Sequence, residues 1–596
     1  MSELSKEKYT WDLSAIYRSG EEWEETLKNI PQLVSQITEM KGNITISAQN
    51  LLNTLNTVEK LSISLARAYS FARLSFDTNM GDSISKNRYE RIDSIATQVN
   101  EQLAFIEPEL LKMDENKFQI YKNEEPELNK YSFKFEKLFR MKKHILSPEM
   151  EELMTKLDSL GRSFKKVFDD LVVNDLTFPD VTGESEKKIE ANEANYLKCL
   201  TSQDRVLREN YFKGLLNTYG SHQNSIASIY YGSVKHDIFE ANTRKYNSSR
   251  DMALTSNFIP VEVYDNLINT VRNNVDKLQQ YLNLRKKALG LDEIHFYDLF
   301  VPVVKDLSKS YSFEEAKDLV LDALAVLGND YTDILKRAFD ERWIDVYPAK
   351  GKRSGAYAIG IYGSHPYSLL NFTGNLEDVF TLAHELGHVM HSYYSNENQP
   401  YINSQYSIFT AEVASTVNET LLFNHLLSKI NSPEEKANLL SMHLDSLRST
   451  LYRQTFFADF EKQVHELVEK DQPLIPDILG SLYKKLYELY YGKDFVTDEE
   501  LSYEWARIPH FYTAFYVYQY STGISAAISI AKRIQNEGEP ALAGYKDFLK
   551  SGGSDYPINL LKKAGVDMSS PQPILDAIKD FEQSVQQLSS ILGISV

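Results

Sequence analysis

Along most of this chain apolar residues recur at three-to-four spacing, the period of a helix with one buried face. Leu51, Leu52, Leu55, Val58, Leu61, Leu65 and Tyr69 form one such stripe. Leu153, Leu157, Leu160, Phe164 and Val167 form another, and Ser147-Pro148 ahead of it reads as an N-cap followed by proline at the first helical position. A third, Leu319, Val320, Ala323, Leu324 and Leu327, lies between a capping box at Ser312 and Glu315 and a terminating Gly328. Ser432-Pro433-Glu434-Glu435 opens a further helix. The run 175–179 and the polar stretch 180–186 interrupt helix and predict a hairpin or a lobe boundary. Residues 343–373 alone read as strand. Tyr357, Ile359 and Ile361 alternate there with Ala356, Ala358 and Gly360, and residues 369–372 are a second candidate strand. The pattern predicts a mainly α fold with one small β-sheet and no internal repeat. The aromatic run 295–302 reads as core.

The sheet precedes the most informative helix. Val379, Leu382, Ala383, Leu386, Val389 and Met390 mark its buried face, and Glu377 and Asp378 suit its first turn. His384-Glu385-Leu-Gly-His388 lies on it. Residues four apart share a helix face, so His384 and His388 can bind one metal ion while Glu385 reaches a water beside it. Chance gives such a motif roughly 0.02 times in a chain of this composition. Gly387, a poor helix former, suggests that something packs close to the ligands. A catalytic zinc needs a third protein ligand and an open position. Glu412 is the candidate, with Glu419 two turns further on placed to hold a ligand imidazole. Val413, Ala414, Val417, Leu421 and Leu422 surround them, which makes an unpaired carboxylate costly. His391 reads as a half-exposed helical histidine near the site. His465-Glu466 reads as a solvated helix face rather than a metal site. A metzincin would carry Gly and His where this chain has His391 and Tyr394. Gly351-Lys352 is no phosphate loop, because Val346 stands where the motif needs glycine.

His384-Glu-Leu-Gly-His388-Val-Met-His391, followed by Ala411-Glu412-Val-Ala-Ser-Thr, resembles the M3 family of zinc oligopeptidases, and within it the oligoendopeptidase F group. The segments starting at Trp11, Trp343, Lys352 and Arg507 are similar to that group as well. The resemblance implies one Zn²⁺ held by His384, His388 and Glu412, with Glu385 as general base. It implies two helical lobes around a substrate channel that admits short peptides, the N-terminal lobe over 1–200. The catalytic region over 201–596 then holds the sheet, about 343–373, and the zinc helices, about 376–428. It also implies that a Tyr and a His stabilise the oxyanion from a segment like His510-Phe-Tyr512-Thr-Ala-Phe-Tyr516-Val-Tyr518. His510 and Tyr518 are the first candidates there, with Tyr512 and Tyr516 behind them as substrate contacts. An exposed edge strand beside the zinc helix would hold an extended peptide by its backbone, which makes Gly360 and Asn371 further candidate contacts.

Composition narrows the rivals. The chain has 596 residues, 42% hydrophobic and 25% charged, as soluble globular proteins do. Its net charge of −19 argues against nucleic acid and anionic membranes as partners. No obligate protein partner is evident. The single Cys199 excludes an internal disulfide and fits a reducing compartment. No secretory leader is visible and no run of 18 apolar residues occurs, so a cytoplasmic location is expected. A metallo-exopeptidase would need a charged anchor for a peptide terminus, and none is identifiable. An inactive zinc-containing peptide-binding protein is the rival from another class. Structural zinc sites, however, are normally four-ligand and rich in cysteine.

Overall fold

A computed structural model describes residues 7–304 and 309–595. The opening residues read for a leader fall partly in 1–6, outside the described residues. The fold is mainly α, as the periodicity predicts, with two small sheets among the described residues where one was expected. In chain order the elements used below are α1 (Ala48–Thr78), α2 (Pro148–Asp170), the antiparallel hairpin β1 (Asp180–Val181) and β2 (Ile189–Glu190), and α3 (Phe313–Leu324). They continue with β3 (Ile344–Asp345), β4 (Tyr357–Ile359), β5 (Tyr367–Leu369), α4 (Leu376–Asn398) and α5 (Ile408–Lys429). The last three are α6 (Pro433–Leu447), α7 (Gln454–Glu469) and α8 (Tyr518–Glu537). Among the described residues no helix is long and apolar enough to cross a membrane.

The capping signals act as read. Ser147 accepts from Met150 N–H at the start of α2, Ser312 and Glu315 cap α3 reciprocally, and Ser432 accepts from Glu435 N–H at α6. Gly328 takes φ +91° after the last apolar turn behind α3. In the run 295–302, Phe296, Tyr297, Leu299 and Val301 are buried, as expected of core.

One apolar stripe does not do what its period suggests. On α2, Leu153, Leu160 and Val167 are 49%, 63% and 50% exposed, while Met154 and Phe168 are buried. The helix seats the neighbouring face instead. Gly161 lies on it, so close to His236 that a Cβ would stand 2.3 Å from the imidazole. A glycine that admits a ring carries no hydrophobic signal, so Met154 and Phe168 alone marked the packed face in the pattern.

The chain divides into two compact units. The first consists of Met1–Lys143, Ser308–Leu422 and Ile530–Gly565, the second of His144–Leu307, Phe423–Ser529 and Val566–Val596. A single division near residue 200 therefore differs from the interleaved segments that pack together.

In the first unit the three-stranded sheet runs β3-β5-β4, with β3 parallel and β4 antiparallel to β5. The strands are shorter than the alternation implied, and β5 ends at Leu369, so Asn371 falls beyond it. Ile361, Tyr367 and Leu369 enter a core with Trp11, Trp23, Leu61 and Phe71, which fixes the sheet on helices including α1. The outer side of β3 is taken by the start of the chain: Val346 N–H donates to Tyr9 O at 2.9 Å and Asp12 N–H to Arg342 O at 2.9 Å. Ser368 N–H donates to Trp343 O. Ser368 thus faces β3, and Tyr367 and Leu369 face β4. In an antiparallel pair that assigns the ladder bonds to Ile359 and Tyr357 and turns the N–H and C=O of Ala358 outward. Among the described residues this outer side of β4 is unpaired.

Candidate active site

α4 begins at a tight cap. Asn375 Oδ1 accepts from Asp378 N–H at 2.8 Å. Asp378 Oδ2 in turn accepts from Thr373 N–H, Thr373 Oγ1 and Gly374 N–H at 2.7–2.8 Å, and from Asn375 N–H at 3.3 Å. This capping box was legible as Asn375-x-x-Asp378 and was missed. It sets the phase of the helix that carries His384, Glu385 and His388.

α5 lies directly against α4. A Cβ on Gly387 would stand 2.5 Å from Ser415 Cα and 2.6 Å from Ala414 O, so the two backbones touch at that point. The close neighbour that Gly387 implied is therefore the Ala414–Ser415 backbone. Buried Asn418 adds a polar tie, donating to Ala383 O at 3.1 Å and accepting from Tyr331 OH at 3.1 Å. These contacts bring Glu412 and Glu419 to the two histidines.

The donor atoms converge. Glu412 Oε2 is 3.4 Å from His384 Nε2 and 3.6 Å from His388 Nε2. Metal–ligand bonds of about 2.0–2.1 Å in a tetrahedron set ligand atoms about 3.3–3.4 Å apart, so this spacing fits one metal ion. Among the described residues His384, His388 and Glu412 form the one such group of three. Glu419 Oε1 lies 2.5 Å from His384 Nδ1. A carboxylate accepts only, so Nδ1 carries a proton, and a metal bound at Nε2 would take the place of the proton that faces Glu412 there. Burial alone would lower the His384 imidazole, but its hydrogen bonds to Glu412 and Glu419 outweigh that and raise it to about 10. Hydrogen bonds from His384 and His388 hold Glu412 well below the usual carboxylate range. A donor set that stabilises positive charge this strongly suits a cation. Glu419→Gln keeps an acceptor and removes the charge. It is expected to weaken metal binding about 10- to 100-fold in a chelator-competition titration; unchanged affinity would take Glu419 out of the site.

Glu385 is 6% exposed, and its Oε2 has no partner among the described residues. Burial raises its carboxyl, while His384 and His388 pull it back. A cavity of about 480 Å³ opens over these groups, lined also by residues 356–360 of the β4 edge, by Ser392 and Asn396 of α4, and by Gln405 and Tyr406. The edge is held from behind, where Tyr357 OH donates to buried Asp77 Oδ2 at 2.7 Å.

Gly360 lines this cavity. Asn371 does not: its amide donates to Arg353 O at 2.9 Å and Gly355 O at 2.7 Å, and so shapes the loop before β4. His391 is fully buried rather than half-exposed. It stacks on Tyr406 at 3.6 Å, and burial pushes it down to about 3, so it stays neutral. His465 is also core and not solvated, its Nδ1 at 2.9 Å from Glu461 O and its Nε2 at 3.3 Å from Asp237. Cys199 is buried.

His510, Tyr512, Tyr516 and Tyr518 belong to the second unit. They do not form one helix. A 3₁₀ turn spans Pro509–Tyr512, Phe515 takes φ +54°, and α8 begins at Tyr518. The Phe515 turn is held by buried Glu461, which accepts its N–H at 2.7 Å. His510 is exposed and Tyr516 half-buried. The Tyr512 hydroxyl is enclosed, its ring against Phe168 at 4.6 Å. Tyr518 is 2% exposed against Tyr264 at 5.1 Å, and burial pushes its hydroxyl far above the ordinary range. Alternating tyrosines gave no signal for which of them the core would take.

The family described as Peptidase family M3 matches residues 199–580, and the one described as Oligopeptidase F matches residues 109–178. Oligopeptidase PepF of Bacillus subtilis is 41% identical over 98% of this chain and 87% of its own length. A crystal structure of a peptidase from Chlamydophila abortus is 36% identical, with a TM-score of 0.92 over 98% of both chains. That of oligoendopeptidase-F from Enterococcus faecium is 34% identical, with a TM-score of 0.74 over 96% of this chain and 98% of its own.

Proposed function

The chain belongs to peptidase family M3, and from that premise we infer how its residues divide the work. It is a metallo-endopeptidase acting on oligopeptides. We assign its metal as one zinc ion, because two imidazoles and a carboxylate without a thiolate make a donor set zinc favours. His384 Nε2, His388 Nε2 and Glu412 would hold it, with Glu419 fixing the His384 tautomer. Zinc, when bound, supplies a Lewis acid for the scissile carbonyl and lowers the pKa of a water toward neutrality.

The rest falls to the chain. Glu385 Oε2, buried on the cavity wall and without a protein partner, takes the proton of the attacking water and passes it to the leaving amine. The outward N–H and C=O of Ala358 pair with the peptide backbone and hold the substrate extended beside the metal. Main-chain pairing of this kind does not depend on side-chain identity.

The observation that carries the reading is the convergence of His384, His388 and Glu412 in the one cavity that also holds Glu385 and the open strand edge. Its test is an internally quenched short peptide blocked at both ends. Internal cleavage should disappear on chelation and return with added zinc, with one zinc per chain by elemental analysis. Cleavage only after a terminus is freed would overturn the endopeptidase assignment, and activity indifferent to chelation would overturn the metal.

A further inference from the structure

His384, His388, Ser392 and Asn396 follow one another at every fourth position of α4, so they make one ridge along the helix. All four line the cavity. The first two are the metal donors, and Ser392 Oγ pairs with the Tyr406 hydroxyl at 2.8 Å. Asn396 stands apart: its Nδ2 is buried yet has no partner among the described residues. An amide N–H shielded from water on a cavity wall is unfavourable unless an acceptor arrives from elsewhere. The strand edge leads to it. A Cβ on Gly360 would lie 2.7 Å from Ser392 Cβ and 3.7 Å from Asn396 Nδ2, so the C-terminal end of β4 lies beside the Ser392–Asn396 part of the ridge.

We propose that Asn396 is a substrate-positioning residue whose amide donates to a main-chain carbonyl of the bound peptide, three or four residues to the N-terminal side of the scissile bond. The proposal rests on the peptide-hydrolysis reading above. Asn396 lies two ridge steps beyond His388, about 12 Å along the axis at 1.5 Å per residue. An extended peptide covers that distance in about three to four residues. The direction comes from the edge. A peptide adding antiparallel to β4, the more stable pairing per residue, carries its N-terminal half over Gly360 toward Asn396. An uncharged donor accepts any carbonyl there, so the contact lengthens the grip without selecting a side chain.

The test uses two internally quenched, end-blocked peptides with the same cleavage core. One has an N-terminal arm of roughly five residues, long enough to reach Asn396; the other has an arm of about two. Asn396→Ala should lower kcat/KM for the long-arm peptide roughly three- to tenfold, through KM, and leave the short-arm peptide unchanged. Asn396→Asp should lower it further, because a carboxylate repels a carbonyl. Asn396→Ser, which shortens the reach and stays small and polar, guards against a folding defect, and its short-arm activity reports an intact centre. In a Glu385→Gln background the long-arm peptide should lose equilibrium affinity by the same factor. Equal losses on both peptides, no loss on either, or losses that follow a C-terminal extension would each overturn the proposal. Short-arm cleavage in every variant keeps the hydrolysis reading intact whatever Asn396 does. If the unaltered protein cleaves neither peptide, that reading fails and this one with it.

Discussion

Glu385→Gln is expected to lower kcat by about 10²–10⁴-fold, the range general base catalysis supplies, while metal content stays unchanged. Glutamine has the same shape and keeps one acceptor oxygen, so the surroundings of residue 385, which is 6% exposed, do not repack. It cannot take a proton. Glu385 is not among the three residues whose donor atoms converge, His384, His388 and Glu412. The signature is therefore specific: activity gone, metal present, KM little changed. Glu412→Gln should behave differently and lose metal together with activity, because a neutral amide replaces a ligand carboxylate. The comparison is made by elemental analysis and steady-state kinetics on the same preparations. Glu385→Gln with ordinary turnover would remove Glu385 as the base. Loss of metal in that variant would make it a structural residue of the centre.

The centre was legible because its chemistry is local. His384 and His388 share a face by helical period, and Glu412 and Glu419 share the next helix in an apolar setting where carboxylates need partners. Gly387 signalled a close neighbour through its missing side chain, though not which one. What was not legible depends on partners distant in sequence. His465 looked solvated because its acceptor, Asp237, is 228 positions away. His391 looked half-exposed because Tyr406 and Phe548, which cover it, come from other elements. Tyr518 and Tyr516 are the same residue type two positions apart, and only the Phe515 turn on Glu461 sends one into the core and leaves the other half-buried. The exposed stripe on α2 makes the same point from the other side. Periodicity says that a helix has a face and leaves open whether a partner meets it.

Gly387→Ala should be the most damaging single methyl group in the centre. In an isolated helix this change would add about 1 kcal/mol of stability, since glycine is the poorer helix former. Here the new Cβ would meet backbone at 2.5–2.7 Å, at Ser415 Cα, Ala414 O and Ser415 N, and backbone cannot swing aside as a side-chain tip does. The helices must separate, at an overpacking cost of about 1–3 kcal/mol that outweighs the propensity gain. The larger consequence is functional. Glu412 comes from α5 and the two imidazoles from α4, so separation draws Glu412 away from atoms now 3.4 and 3.6 Å off. A displacement of about 1 Å in such a constellation can cost about 10²-fold in rate. The variant should then bind metal at least about tenfold more weakly and melt a few degrees lower, read by metal titration and thermal unfolding. A Gly387→Ala protein with full metal affinity and unaltered kcat would show that the two helices are not in contact at that point, and the geometry of the donor set would have to be redrawn with it.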